Sequence, residues 1–101
     1  MIGMVGRLTK EKYLPGRDTY CITHYRYGNE HLKNGKYREA IKEYDKAIAL
    51  SSNHISYFIN RGIAKAHIGD KEGAFSDYEK AKALDPEEFE RRLSSGLPLL
   101  S

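Results

Sequence analysis

A self-match at 34 residues limits this chain's fold more than any other feature of its sequence. Shifted by that length, Gly28 meets Gly62, Gly35 meets Gly69, and Ala40 meets Ala74. Tyr44 meets Tyr78, Lys46 meets Lys80, Ala47 meets Ala81, Ala49 meets Ala83 and Leu50 meets Leu84. Chance gives about two identities over such a span at ordinary residue frequencies. Most of the matches are glycine, alanine or bulky apolar residues, the types that packing constrains. Self-similarity at this period marks a helical solenoid, whose units bury their apolar faces only by stacking.

Each unit reads as helix, turn, helix. Over 37–50, Ala40, Ile41, Tyr44, Ala47 and Ile48 recur at three- and four-residue steps, the stripe of an amphipathic helix. Residues 71–84 repeat it with Ala74, Phe75, Tyr78 and Ala81. Helices are also expected over about 19–34 and 54–68. Asn34-Gly35 and Gly69-Asp70 separate them: the glycines suit a left-handed helix end, and Asp70 suits the cap of the next helix. Gly28, Gly62, Ala40 and Ala74 fall where paired helices must approach closely. Tyr44, Tyr78 and Phe75 are expected to fill the space beside them.

These landmarks resemble the tetratricopeptide repeat, W-x₂-L-G-x₂-Y…A-x₃-F…P. The first unit, 21–54, reads His24-x₂-Tyr27-Gly28-x₂-His31, Ala40-x₃-Tyr44 and Ser52. The second, 55–88, reads Phe58-x₂-Arg61-Gly62-x₂-Lys65, Ala74-x₃-Tyr78 and Pro86. The resemblance implies an all-α fold: an α-α superhelix, or right-handed solenoid of antiparallel helix pairs, with about five helices. Arg61 and Lys65 depart from the pattern. Their aliphatic stems are expected to lie on apolar surface.

The domain is expected over 18–95, with Asp18 or Thr19 capping its first helix. Residues 1–17 have no sustained period and read as a flexible arm. Asp85-Pro86-Glu87-Glu88 is a helix start, so a capping helix is expected over 86–95, with Phe89 and Leu93 inward. Gly96 falls 34 residues after Gly62, so the end resembles a third unit cut short before Pro98 and the apolar tail 96–101. That invites reading the chain as a piece of a longer array. Two units make a small core, and weak homodimerisation is expected to supplement it.

Little in the sequence points to chemistry. There is no phosphate-binding loop, dinucleotide glycine cluster or nucleophile elbow. His24, His31, His54 and His67 lack the one-turn spacing of a helical metal site, and Cys21 is the single cysteine. No enzyme activity, cofactor or metal is expected. Glu39, Glu43, Asp77 and Glu79 sit beside Lys36, Arg38, Lys42, Lys46 and Lys80 at helical spacing, which reads as surface ion pairing. A lone thiol and the lack of an apolar run of membrane-spanning length suit a cytoplasmic setting.

The resemblance implies a protein-protein interaction module, an adaptor or assembly subunit, whose first helices line a groove for a peptide or helix. Here that groove would present Ile22, Tyr25, Asn29, Leu32 and Lys33 from the first unit. Ile59, Asn60, Ile63, Ala66 and His67 would come from the second. Ile59 and Ile63 have an alternative place, against the capping helix. Chaperone-binding members clamp the C-terminal carboxylate of heat-shock proteins with lysine, asparagine and arginine. Asn29 and Asn60 match the clamp asparagines, while Tyr25, Glu90 and Ser94 stand where its cations would be. A further alternative is nucleic-acid binding by the basic arm, through Arg7, Lys10, Lys12, Tyr13 and Arg17. The +3 formal charge is uneven, basic in the first half and acidic in the second unit, a split that steers a partner or a second copy.

Overall fold

A computed structural model describes residues 17–96. The arm expected over 1–17 falls outside them apart from Arg17, as does the tail after Gly96. Five α-helices follow one another: α1 (Arg17–Lys33), α2 (Tyr37–Leu50), α3 (Ile55–His67), α4 (Lys71–Leu84) and α5 (Pro86–Ser94). No described residue is in a strand. The chain forms successive antiparallel pairs, α1 with α2 and α3 with α4, and α5 packs on α4. α2 also packs on α3, so the two pairs share one stack.

The two turns between paired helices are copies of each other. After α1, Lys36 N–H donates to the His31 carbonyl at 2.8 Å and Gly35 N–H to that of Leu32 at 3.1 Å. After α3, Asp70 N–H donates to Lys65 at 2.8 Å and Gly69 N–H to Ala66 at 3.1 Å. This pairing satisfies the last carbonyls of each helix and needs a left-handed residue. Gly35 and Gly69 supply it at φ 78° and 87°. Asp70 then caps α4 through Gly73 N–H, and Asp85 caps α5 through Glu88 N–H. The first-helix cap differs from expectation. Arg17 is already helical, so Asp18 and Thr19 lie inside α1.

The small residues work as the periodicity predicts. A methyl group on Gly28 would stand 2.5 Å from the Tyr44 ring, and one on Gly62 would stand 2.7 Å from that of Tyr78. Tyr44 is fully buried with Ala40 and Ala64. Cys21, Ala47 and Tyr57 form a second cluster where α1, α2 and α3 meet. Phe58, Ile59, Ala74, Tyr78, Ala81 and Phe89 form a third, with Leu93 packed against it, so α5 covers the second unit with its expected inward pair.

Phe75 does not fill the core as expected. It is 59% exposed. Ile41, its counterpart one repeat earlier, packs against the cluster that holds Ala64 of α3 and faces Ile68, just past the end of that helix. α5 ends after nine residues at Ser94, where Gly96 turns the chain at φ 105°. Gly62, one period earlier, is inside a helix. The helix that would cover Phe75 therefore stops too soon.

The carboxylates pair mainly between helices, not with the neighbouring lysines expected from spacing. Glu43 on α2 binds His24 on α1 at 2.8 Å, and only Lys46 joins it from its own helix, at 3.9 Å. One period later, Asp77 on α4 accepts from Arg61 Nε and Nη2 on α3 at 2.9 and 2.8 Å. Lys65 adds a contact to Asp77 at 3.3 Å, and Arg61 also reaches Asp45 on α2 at 2.7 Å. The Asp77 hydrogen bonds raise the Arg61 pKa against the effect of its burial. Arg61 also lies over the Phe58 ring, 5.6 Å from its centre. Arg61 and Lys65 thus depart from the repeat pattern because α4 carries a buried acid to meet them. On α5, Arg91 and Arg92 hold the Glu88 carboxyl below the ordinary carboxylate range.

Burial pushes the Tyr44 and Tyr78 phenols up from the ordinary value of 10.0. Their neutral forms are held in the fold, whereas the unfolded chain ionises both near pH 10. Their contribution to stability is therefore full below that pH and lost as pH rises through the higher folded values. Denaturant midpoints should be lower at about pH 11 than at about pH 9. Equal midpoints would contradict the burial of these rings.

Candidate functional site

α1 and α3 run side by side, joined by a polar network that rises from the core. Tyr44 on α2 donates its O–H to Asn29 Oδ1 at 2.6 Å. Asn60 Nδ2 on α3 donates to the same oxygen at 2.9 Å and to the Tyr25 hydroxyl at 3.2 Å. Asn29 Oδ1 is thereby filled, and both Asn60 Nδ2 protons are used. Tyr44 is buried, so the bond to Asn29 removes what would be an orphaned hydroxyl. Three groups have capacity left over among the described residues. They are the Asn29 Nδ2 donor, the Asn60 Oδ1 acceptor and the Tyr25 O–H.

Beside this network lies a cleft of about 550 Å³, lined by Ile22, Tyr25, Arg26 and Asn29 of α1 and by His54, Ile55, Ser56 and Tyr57 at the start of α3. Its wall is aromatic. Tyr25 lies 6.0 Å from Tyr44 and 4.8 Å from Tyr57 between ring centres, and His54 lies 4.5 Å from Tyr57. Ser56 accepts a bond from Arg92 of α5 at 2.9 Å, which ties the capping helix to the rim of α3. Ile22 is 43% exposed at the mouth. The lining contains no carboxylate.

Sequence spacing brings only part of the expected groove to this place. Tyr25, Asn29 and Asn60 meet in the network, and Ile22 joins Tyr25 and Asn29 in the cleft. Ile59 is 1% exposed and offers no surface, because α3 turns it into the cluster with Phe89. Ile63 and Ala66 pack against the same cluster. Leu32 packs toward Ala40, Tyr44 and Ala64. His67 sits at the far end of α3, stacked on Tyr37 with ring centres 4.3 Å apart, and Lys33 is exposed in the last turn of α1.

Arg26, His54, Ile55, Ser56 and Tyr57 line the cleft without being among the residues expected from spacing. The signal was present: Asn29 and Asn60 are 31 residues apart, not 34. That shorter offset carries Tyr25 to Ser56 and Arg26 to Tyr57, all four of which line the cleft. Among the described residues, no three His, Cys, Asp or Glu side chains gather as a metal would need. No described helix is long and apolar enough to cross a membrane.

Stacked antiparallel helix pairs with a cleft between successive first helices define a helical-repeat protein of the kind that binds other proteins. The comparisons place it more narrowly. A TPR repeat model matches residues 28–69 and a tetratricopeptide repeat model matches residues 55–88. The chain belongs to the tetratricopeptide repeat family, a protein-interaction fold. It is 39% identical over 57 residues to RNA polymerase II-associated protein 3 of Xenopus tropicalis, covering 56% of this chain and 9% of that one. It is 36% identical over 59 residues to Hsp70-Hsp90 organizing protein 3 of Arabidopsis thaliana, covering 58% of this chain and 11% of that one. It is 37% identical over 59 residues to the Hsp70-Hsp90 organizing protein of Triticum aestivum, covering 58% and 10%. The matched part is about a tenth of each relative's length.

Proposed function

We propose that this interaction module acts as an adaptor or assembly subunit that binds an extended segment of a partner protein in the α1–α3 cleft. The observation that carries this reading is the unspent edge of the network. Among the described residues, Asn29 of the cleft lining keeps a donor, and Asn60, bonded to it, keeps an acceptor next to the aromatic wall. An extended peptide presents both backbone N–H and C=O groups, and alternate side chains can enter such a wall. A cytoplasmic setting belongs to the same reading, in keeping with the single buried thiol.

A nonapeptide display selection on the full chain tests it. Selected peptides should bind about tenfold more weakly to Ile22→Asp, roughly 1.4 kcal/mol, while the thermal midpoint moves little. Cleft binding is excluded if every selected peptide ignores both Ile22→Asp and Ile55→Asp.

A second reading is favoured by the two organizing-protein relatives: capture of a heat-shock protein C-terminus. The geometry weighs against a full clamp. A carboxylate needs cations as well as amide donors, and Tyr25, Glu90 and Ser94 occupy their places. Tyr25 is also committed to Asn60. A peptide ending Glu-Glu-Val-Asp is expected to bind in the millimolar range or not at all by calorimetry. Micromolar binding that disappears on amidating its C-terminus would establish the clamp instead. The nucleic-acid alternative rests on residues 7–17, nearly all outside the described structure.

A further inference from the structure

A second recess opens at the junction of α2 and α3, away from the cleft. Arg38, Ile41 and Lys42 of α2 face Lys65, Ile68 and Asp70 around a hollow of about 300 Å³. An adjoining hollow shares Arg38 and Ile68 and adds Gly35, Lys36, Tyr37 and Glu39. The floor is apolar, with Ile41 and Ile68 half-buried, and Lys36, Arg38 and Lys42 are exposed above it. These three cations have no ion-pair partner among the described residues. Lys65 is engaged by Asp77, and Asp70 by the cap it makes to α4.

One period later the stripe changes character, with an acid in place of Arg38 and an aromatic in place of Ile41. Arg38, Ile41 and Lys42 correspond to Glu72, Phe75 and Ser76. Glu72, Phe75 and Glu79 lie three and four residues apart on α4, so they form one stripe. All three are exposed, and neither glutamate has an ion-pair partner among the described residues. The first unit thus has an apolar recess with three unpaired cations on a rim that also holds Glu39 and Asp70, and the second an exposed aromatic flanked by two glutamates with no ion-pair partner among the described residues.

We propose that Phe75 of one copy of this chain enters the α2–α3 recess of a second copy, with Glu72 and Glu79 against Arg38, Lys42 and Lys36. The hollow has room for an aromatic ring. Complementary patches orient the encounter although both copies carry net positive charge. The contact is small, which makes it a weak, concentration-dependent association and not an obligate one.

Sedimentation of the full chain from micromolar to millimolar concentration tests this. The average mass should rise with concentration, and added salt should weaken the rise. Arg38→Glu and Glu72→Arg should each raise the dissociation constant about tenfold, and the double variant should recover to within about threefold of the native value. Phe75→Ser should abolish association. All three positions are exposed, and unchanged circular dichroism would verify that each variant folds. A native chain that stays monomeric at millimolar concentration overturns the proposal. So does association indifferent to either charge reversal, or two reversals that fail to rescue each other.

Discussion

Tyr44→Ala is expected to bring the chain close to unfolding, with a loss of roughly 4 kcal/mol. The side chain is fully buried, its ring fills the space under Gly28, and its hydroxyl anchors Asn29. Total stability for a domain of this size is about 5–15 kcal/mol, and a small core sits toward the lower end. The two repeats supply an internal control for the hydroxyl. Tyr44→Phe should cost about 1 kcal/mol by removing the bond to Asn29. Tyr78 has no hydrogen-bond partner for its buried hydroxyl among the described residues, because Ile63 stands where the first unit has Asn29. Tyr78→Phe should therefore be neutral or slightly stabilising. Denaturant titration of the three variants decides this. Equal losses at Tyr44→Phe and Tyr78→Phe would refute the distinction between the units.

Asp77→Ala should cost about 3 kcal/mol, although it removes only a short side chain. Asp77 is 3% exposed and receives two bonds from Arg61 and one contact from Lys65. Deleting it leaves two half-buried cations facing each other, and breaking a buried ion pair on one side costs about 3–5 kcal/mol. The lower figure applies because Arg61 keeps Asp45. Adding Arg61→Leu and Lys65→Met to Asp77→Ala should return part of the loss, since apolar replacement of a whole buried ionic group is often neutral. If Asp77→Ala changes stability by less than about 1 kcal/mol, the network belongs with ordinary surface pairs.

The order of helices, their turns and their close-packed glycines were legible because each follows from backbone rules that act within a few residues. Gly35 and Gly69 mark left-handed turns, and Gly28 and Gly62 mark the approach of a tyrosine ring. Phe75 was misplaced because its burial depends on the length of a different helix, α5, and periodicity in α4 carries no information about that length. Ile59 takes the alternative place, against the capping helix, for a related reason. On a helix packed on several sides, spacing gives a stripe but not which neighbour takes it. Arg61 and Lys65 looked like degraded positions until Asp77, sixteen and twelve residues away, was seen beneath them.

The burial of Cys21 against Ala47 and Tyr57 has a practical consequence. The chain's single thiol is sealed at the joint where α1, α2 and α3 meet, so an alkylating reagent reaches it only when α1 lifts away. Its modification rate is a clock for that opening. Compared with the rate of global unfolding, it reports whether the two repeats come apart one at a time or fall together.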